Sequence, residues 1–131
     1  MHINVLAVIA AGVASWVLGA VWYSPALFVK PWRAEIGAPQ DAKMDWSKMA
    51  PQLIGSFVIG LVQAGAFAFF LGRQTVAMGA AYGLTAGVCW VASAFEHVGQ
   101  GEGRSLRLLL INGGYNVVSF VLYGVILAAL P

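Results

Sequence analysis

Five polar residues near the end of the chain fall at helical spacing. Asn112, Tyr115, Asn116, Ser119 and Tyr123 are separated by 3, 1, 3 and 4 positions, which places them on one face of a helix. The opposite face carries Leu109, Leu110, Val117, Val121 and Leu122, aliphatic side chains suited to lipid. Polar side chains in an apolar medium need partners, so the stripe must face protein or a wet cavity. Three chemistries suit it. It can act as structural glue, each interhelical hydrogen bond contributing on the order of 1 kcal/mol. It can line a substrate or ion pathway. It can also seat a bound lipid, quinone or pigment of a larger assembly.

A second set lies one segment earlier. Thr85, Cys89, Ser93 and Glu96 share roughly one helical face and are candidate partners for the stripe, with Glu96 and Ser93 expected near Asn112. Glu96 is the one acid at the margin of an apolar run, and intramembrane acids are candidates for proton or ion coupling. An interfacial ion pair explains it as well, because Arg104 and Arg107 follow across a short turn. His97 beside it can titrate near neutral pH. Gln63 is a second isolated polar group, expected to be bonded within the helices around it. The candidate polar site is therefore Glu96, His97, Asn112, Tyr115, Asn116 and Ser119.

The elements that must position these residues follow from charge. Of the 131 residues, 60% are hydrophobic and only 9% charged, against about 25% charged in an ordinary soluble domain. Such a chain lacks the polar surface to face water, so its solvent is mostly lipid. Four stretches, 1–29, 49–72, 74–95 and 108–131, hold no Asp, Glu, Lys or Arg. Each exceeds the roughly 20 residues that cross the hydrocarbon core as a helix. The expected architecture is one all-α transmembrane domain of four helices, near Ile3–Tyr23, Ala50–Leu71, Val76–Phe95 and Leu106–Leu130. The first run lacks a basic start and a small-residue cleavage site, so it is expected to be a retained helix and not a signal peptide.

The connections differ in kind. Residues 24–49 contain Pro25, Pro31 and Pro39 and an apolar start, Ala26-Leu27-Phe28-Val29, which suggests a short segment lying at the interface. Asp45 or Ser47 can cap the second helix. Gly72-Arg73-Gln74-Thr75 is short enough for a tight hairpin between the second and third helices, with Gly72 as the stop. Residues 97–105 carry Gly99, Gly101 and Gly103 in alternation and are expected to form a flexible turn.

Orientation follows from the basic residues. Lys30, Arg33, Lys43, Lys48, Arg104 and Arg107 fall on one face and Arg73 alone on the other. The positive-inside rule makes the first face cytoplasmic and places both termini outside. Trp22, Tyr23, Trp32 and Trp46 cluster where the cytoplasmic interface falls, as interfacial anchors. A net charge of +2 gives no reason to expect nucleic acid as a partner.

Apolar side chains do not drive helix association in lipid, so close approach at small residues matters. Gly79, Gly83 and Gly87 repeat every four residues, as do Ala11, Ser15 and Gly19, and Ser56 with Gly60. The glycine face can pack within the bundle or against a second copy or a larger membrane complex.

The string Val17-Leu18-Gly19-Ala20-Val21-Trp22-Tyr23-Ser24-Pro25, then Leu27-Phe28, Lys30 and Pro31-Trp32, resembles the N-terminal signature of a bacterial family, domain of unknown function 1761. Glu96, Arg104 and Leu108 through Ser119 resemble its closing segment, so the likeness spans essentially the whole chain. It implies a small four-span bacterial membrane protein and no reaction; the membrane expected is the inner one. Asn116 stands where many relatives are expected to have His, so no imidazole role carries over to that position.

Enzyme chemistry finds no support in the residues. There is no Ser/His/Asp set, and the alternating glycines do not follow a strand, so they are no nucleotide fingerprint. One cysteine and two histidines, His2 and His97, do not make a metal cluster within one chain. No catalytic residue, metal or cofactor is expected. The expected role is structural or interactive: an accessory subunit or a bundle that binds lipid or a partner. The alternative is a small dimeric transporter or channel using Glu96 and the polar face of the last helix.

Overall fold

A computed structural model describes residues 3–43 and 45–131; His2 lies outside them. Asn4 opens α1 (Val5–Trp22) by accepting from the amides of Leu6 and Ala7, and its own amide donates to the carbonyls of Leu130 and Pro131. The two ends of the helical region therefore meet on one side. α2 (Val29–Ile36) is the short segment expected after the first span. α3 (Trp46–Leu71) starts four residues before the expected Ala50, because Asp45 caps it and Pro51 is taken inside the helix. α4 (Val76–Gly101) begins at the Thr75 cap, and α5 (Leu106–Ala129) at the Ser105 cap. α1, α3, α4 and α5 are each long and apolar enough to cross a membrane, and the protein is an all-helical, multi-pass membrane bundle.

The third long helix runs past its expected end at Phe95. Gly99 and Gly101 stay helical, and only Gly103 takes a positive φ, of 70°. The Arg104 amide then donates to the Gly99 carbonyl and the Gly103 amide to Gln100, the paired bonds that close a helix on a left-handed residue. The turn is thus Glu102 to Ser105, shorter than the flexible 97–105 expected.

α5 is the central helix. α4 packs along one side of it and α1 along another, while α3 packs mainly on α1. α3 and α4 share a short turn but make little contact with each other, so the tight hairpin expected of them does not form. Glycine decides this. A Cβ on Gly79 or Gly83 would fall on the backbone carbonyls of Gly124 or Phe120, and one on Gly87 would lie 2.8 Å from the Val117 Cα. The Gly79/Gly83/Gly87 groove is filled by α5 backbone, which brings the two helix axes together more closely than any larger residue permits.

Within α4, Gly87–Ala92 is a π-helical turn. Its wider winding shifts the register of everything that follows. Ala92 then meets Gly113, and Gly99 meets Leu109, while Thr85, Cys89, Ser93 and Glu96 all face outward.

Candidate functional site

The polar stripe of α5 looks toward α1 and α3. Deepest lies the Tyr123 hydroxyl, 3.1 Å from Ser15 Oγ on α1 and 3.0 Å from Gln63 Oε1 on α3. Its single proton serves one of these at a time. Ser15 is secured separately, donating to the Gly12 carbonyl in its own helix. Gly60 on α3 leaves room for this node, since its Cβ would lie 3.1 Å from Ser15 Oγ. Phe120 stacks edge-on against both Tyr123 and Phe67 and closes the node from the side.

About two turns away along α5, the Tyr115 hydroxyl donates to the Ser15 carbonyl at 3.0 Å, with its ring lying over Gly19. Ala11, Ser15 and Gly19 are therefore the small-residue face that receives α5 and α3; Ser56, which shares the spacing of Gly60, is exposed. Tyr23, the residue that caps α1, donates to Asn112 Oδ1 at 2.8 Å. Asn116 turns back on its own helix and donates to the Asn112 carbonyl. Ser119 is buried, and its hydroxyl has no hydrogen-bond partner among the described residues.

Three of the four expected anchors do more than mark the interface. Trp22 donates through its indole nitrogen to the Ile111 carbonyl at 2.9 Å. Its ring packs on Phe28 at 4.7 Å, and Tyr23 meets both Trp32 and Tyr115 at 5.7 Å. This cluster folds α2 back onto the end of α1. The chain reverses because the Ser24 hydroxyl and the backbone bonds Phe28 to Trp22 and Leu27 to Ser24 close the turn. Trp46 alone stays exposed.

The second half of the candidate site separates from the first. Glu96 points outward and is reached by Gln100 at 3.4 Å; His97 is exposed beside it. Neither Glu96 nor Ser93 bonds to Asn112, whose side-chain oxygen goes to Tyr23. Ser93 and Thr85 satisfy their hydroxyls on carbonyls one turn back in α4. The Glu96 ion pair expected with the arginines does not form among the described residues. Arg104 pairs with Glu102 at 3.0 Å, and Arg107 approaches Glu35 at 3.9 Å. Glu35 is the acid that sequence reasoning missed: α2 folds back over the start of α5, and its carboxylate also accepts from the Ser105 hydroxyl at 2.5 Å. Among the described residues no three His, Cys, Asp or Glu side chains converge as metal ligands.

The bonds account for most of the polar stripe as contacts between helices, and the outer face of α4 is left with polar groups that serve no packing. No curated protein and no solved structure matches the chain. Residues 6–128 match the family described as protein of unknown function (DUF1761), and the chain belongs to that family.

Proposed function

We propose that this protein is a structural or interaction component of its membrane, a bundle that binds lipid or a partner through its outer surface. The observation that carries this is the Tyr123–Ser15–Gln63 node together with the Tyr115–Ser15 and Tyr23–Asn112 bonds. They spend the polar face of α5 on holding α1 and α3, which leaves that face little to offer a passing solute. No catalytic residue or cofactor belongs to this proposal. The basic loops after α1 and α4 face the cytoplasm of a bacterial cell in it, by the same six-to-one bias of charge.

A dimeric transporter is the alternative, and one observation favours it. Thr85, Cys89, Ser93 and Glu96 are all exposed on α4, where a second copy would bring two carboxylates together. Proton flux in proteoliposomes separates the two. The structural role predicts no flux above protein-free vesicles, no change on Glu96→Gln, and a retained lipid or protein after extraction in mild detergent, seen by native mass spectrometry. Proton flux that disappears in Glu96→Gln would establish the transporter instead.

A further inference from the structure

Outside the polar core, a cleft of about 380 Å³ opens where the end of α1, the start of α2 and the first turns of α5 meet. Its walls are Trp22, Phe28, Pro31, Leu110 and Gly114, and Arg107 stands at its edge. The apolar wall is built to hold its shape. The Trp22 indole is fixed by its bond to the Ile111 carbonyl and by Phe28. Gly114 forms the floor because a Cβ there would lie 3.0 Å from Trp22 Cζ2. Leu110 is 65% exposed, although it is a large aliphatic residue beside this opening.

Arg107 is the one charged residue in the lining of the cleft. The Arg107 side chain is 65% exposed, and its one acid neighbour, Glu35, reaches a single guanidinium nitrogen at 3.9 Å while engaged more closely by Ser105. Most of the guanidinium fork stays free, and that fork matches a phosphate bidentately. Lys30, next to Pro31, has no acid within ion-pair distance among the described residues. Trp22 closes the last turn of one span and Arg107 lies in the first turn of another. The cleft therefore runs from headgroup level into acyl-chain level. Basic clefts of this kind between membrane helices suit anionic headgroups.

We propose that this cleft binds an anionic phospholipid, with its phosphate on Arg107 and one acyl chain along Trp22, Phe28, Leu110 and Gly114. This rests on the bundle being a lipid- or partner-binding protein and names the lipid class. The test is titration of the purified protein in detergent with phosphatidylglycerol or phosphatidylcholine, read by native mass spectrometry. Phosphatidylglycerol is expected to bind more tightly by on the order of tenfold, with that preference lost in Arg107→Gln and kept in Lys43→Gln, a cation outside the cleft. Seating is read independently by a variant whose other tryptophans are Phe: phosphatidylglycerol brominated on its acyl chain should quench Trp22, and Leu110→Gln should weaken the quenching. Equal affinity for both lipids, or equal loss of preference in Arg107→Gln and Lys43→Gln, overturns the proposal, as does unquenched Trp22. None of these outcomes bears on proton flux, so the lipid site can fail while the structural role stands.

Discussion

The Tyr123 hydroxyl of α5 and the Ser15 hydroxyl of α1 lie 3.1 Å apart, both side chains buried, at the point where α1, α3 and α5 converge. Gln63 completes the node from α3. In lipid, where apolar packing favours no particular partner, one such node selects which helix faces meet.

Tyr123→Phe keeps the ring and its stacking on Phe120 but removes the hydroxyl. Ser15 still donates to Gly12, so the loss falls mainly on the Gln63 carbonyl and on the link between helices. A hydrogen bond between helices in lipid contributes on the order of 1 kcal/mol, and the expected loss is of that size. Unfolding by a denaturing detergent, followed by circular dichroism, should show that decrease for Tyr123→Phe and almost none for Thr85→Val, whose hydroxyl bonds only within α4. Equal effects of the two changes would mean that the node does not hold the helices.

The glycines permit a sharper comparison. A Cβ on Gly83 would fall on the Phe120 carbonyl, and backbone yields less readily than a side-chain tip; one on Gly55 would meet nothing within 4 Å. Gly83→Ala should therefore destabilise by roughly 1–3 kcal/mol through overpacking. Gly55→Ala should be neutral or stabilising by up to about 1 kcal/mol, from helix propensity. The same detergent titration measures both. If Gly83→Ala were as well tolerated as Gly55→Ala, α4 and α5 would not be in backbone contact.

Much of this was readable before any coordinates. Four charge-free runs give four spans, because lipid excludes charge strongly enough for composition alone to speak. The one-sided spacing of Asn112, Tyr115, Ser119 and Tyr123 marks an inward face for the same reason. The partners of that face were not readable. A short connection at Gly72–Thr75 makes α3 and α4 neighbours in sequence, yet the glycine groove fits α5 better and α4 goes there. The π-helical turn then carries Ser93 and Glu96 outward, and no periodicity in the sequence records where such a turn will form. Gly99, Gly101 and Gly103 read alike as punctuation. Only Gly103 takes the left-handed conformation, because Gly99 is held against Leu109 by tertiary packing.

Glu35 shows the same limit and supplies the last prediction. Its carboxylate, whose side chain is 22% exposed, takes the Ser105 hydroxyl and faces Arg107, so it joins α2 to the cap of α5. The charge-assisted hydrogen bond contributes about 1.5–3 kcal/mol when well formed, and the looser, more exposed ion pair adds 1 kcal/mol at most, roughly. Glu35→Ala removes both, while the aromatic cluster of Trp22, Tyr23, Phe28 and Trp32 still holds α2 in place. The expected result is local: amide exchange in α2 and the first turn of α5 speeds up by about tenfold or more, with α3 unchanged. Glu96→Gln, at the acid that the sequence made the more conspicuous, should leave exchange in both segments as it was. Faster exchange on Glu96→Gln and none on Glu35→Ala would return the ion-pair role to Glu96, and with it a different seating of the α4–α5 turn.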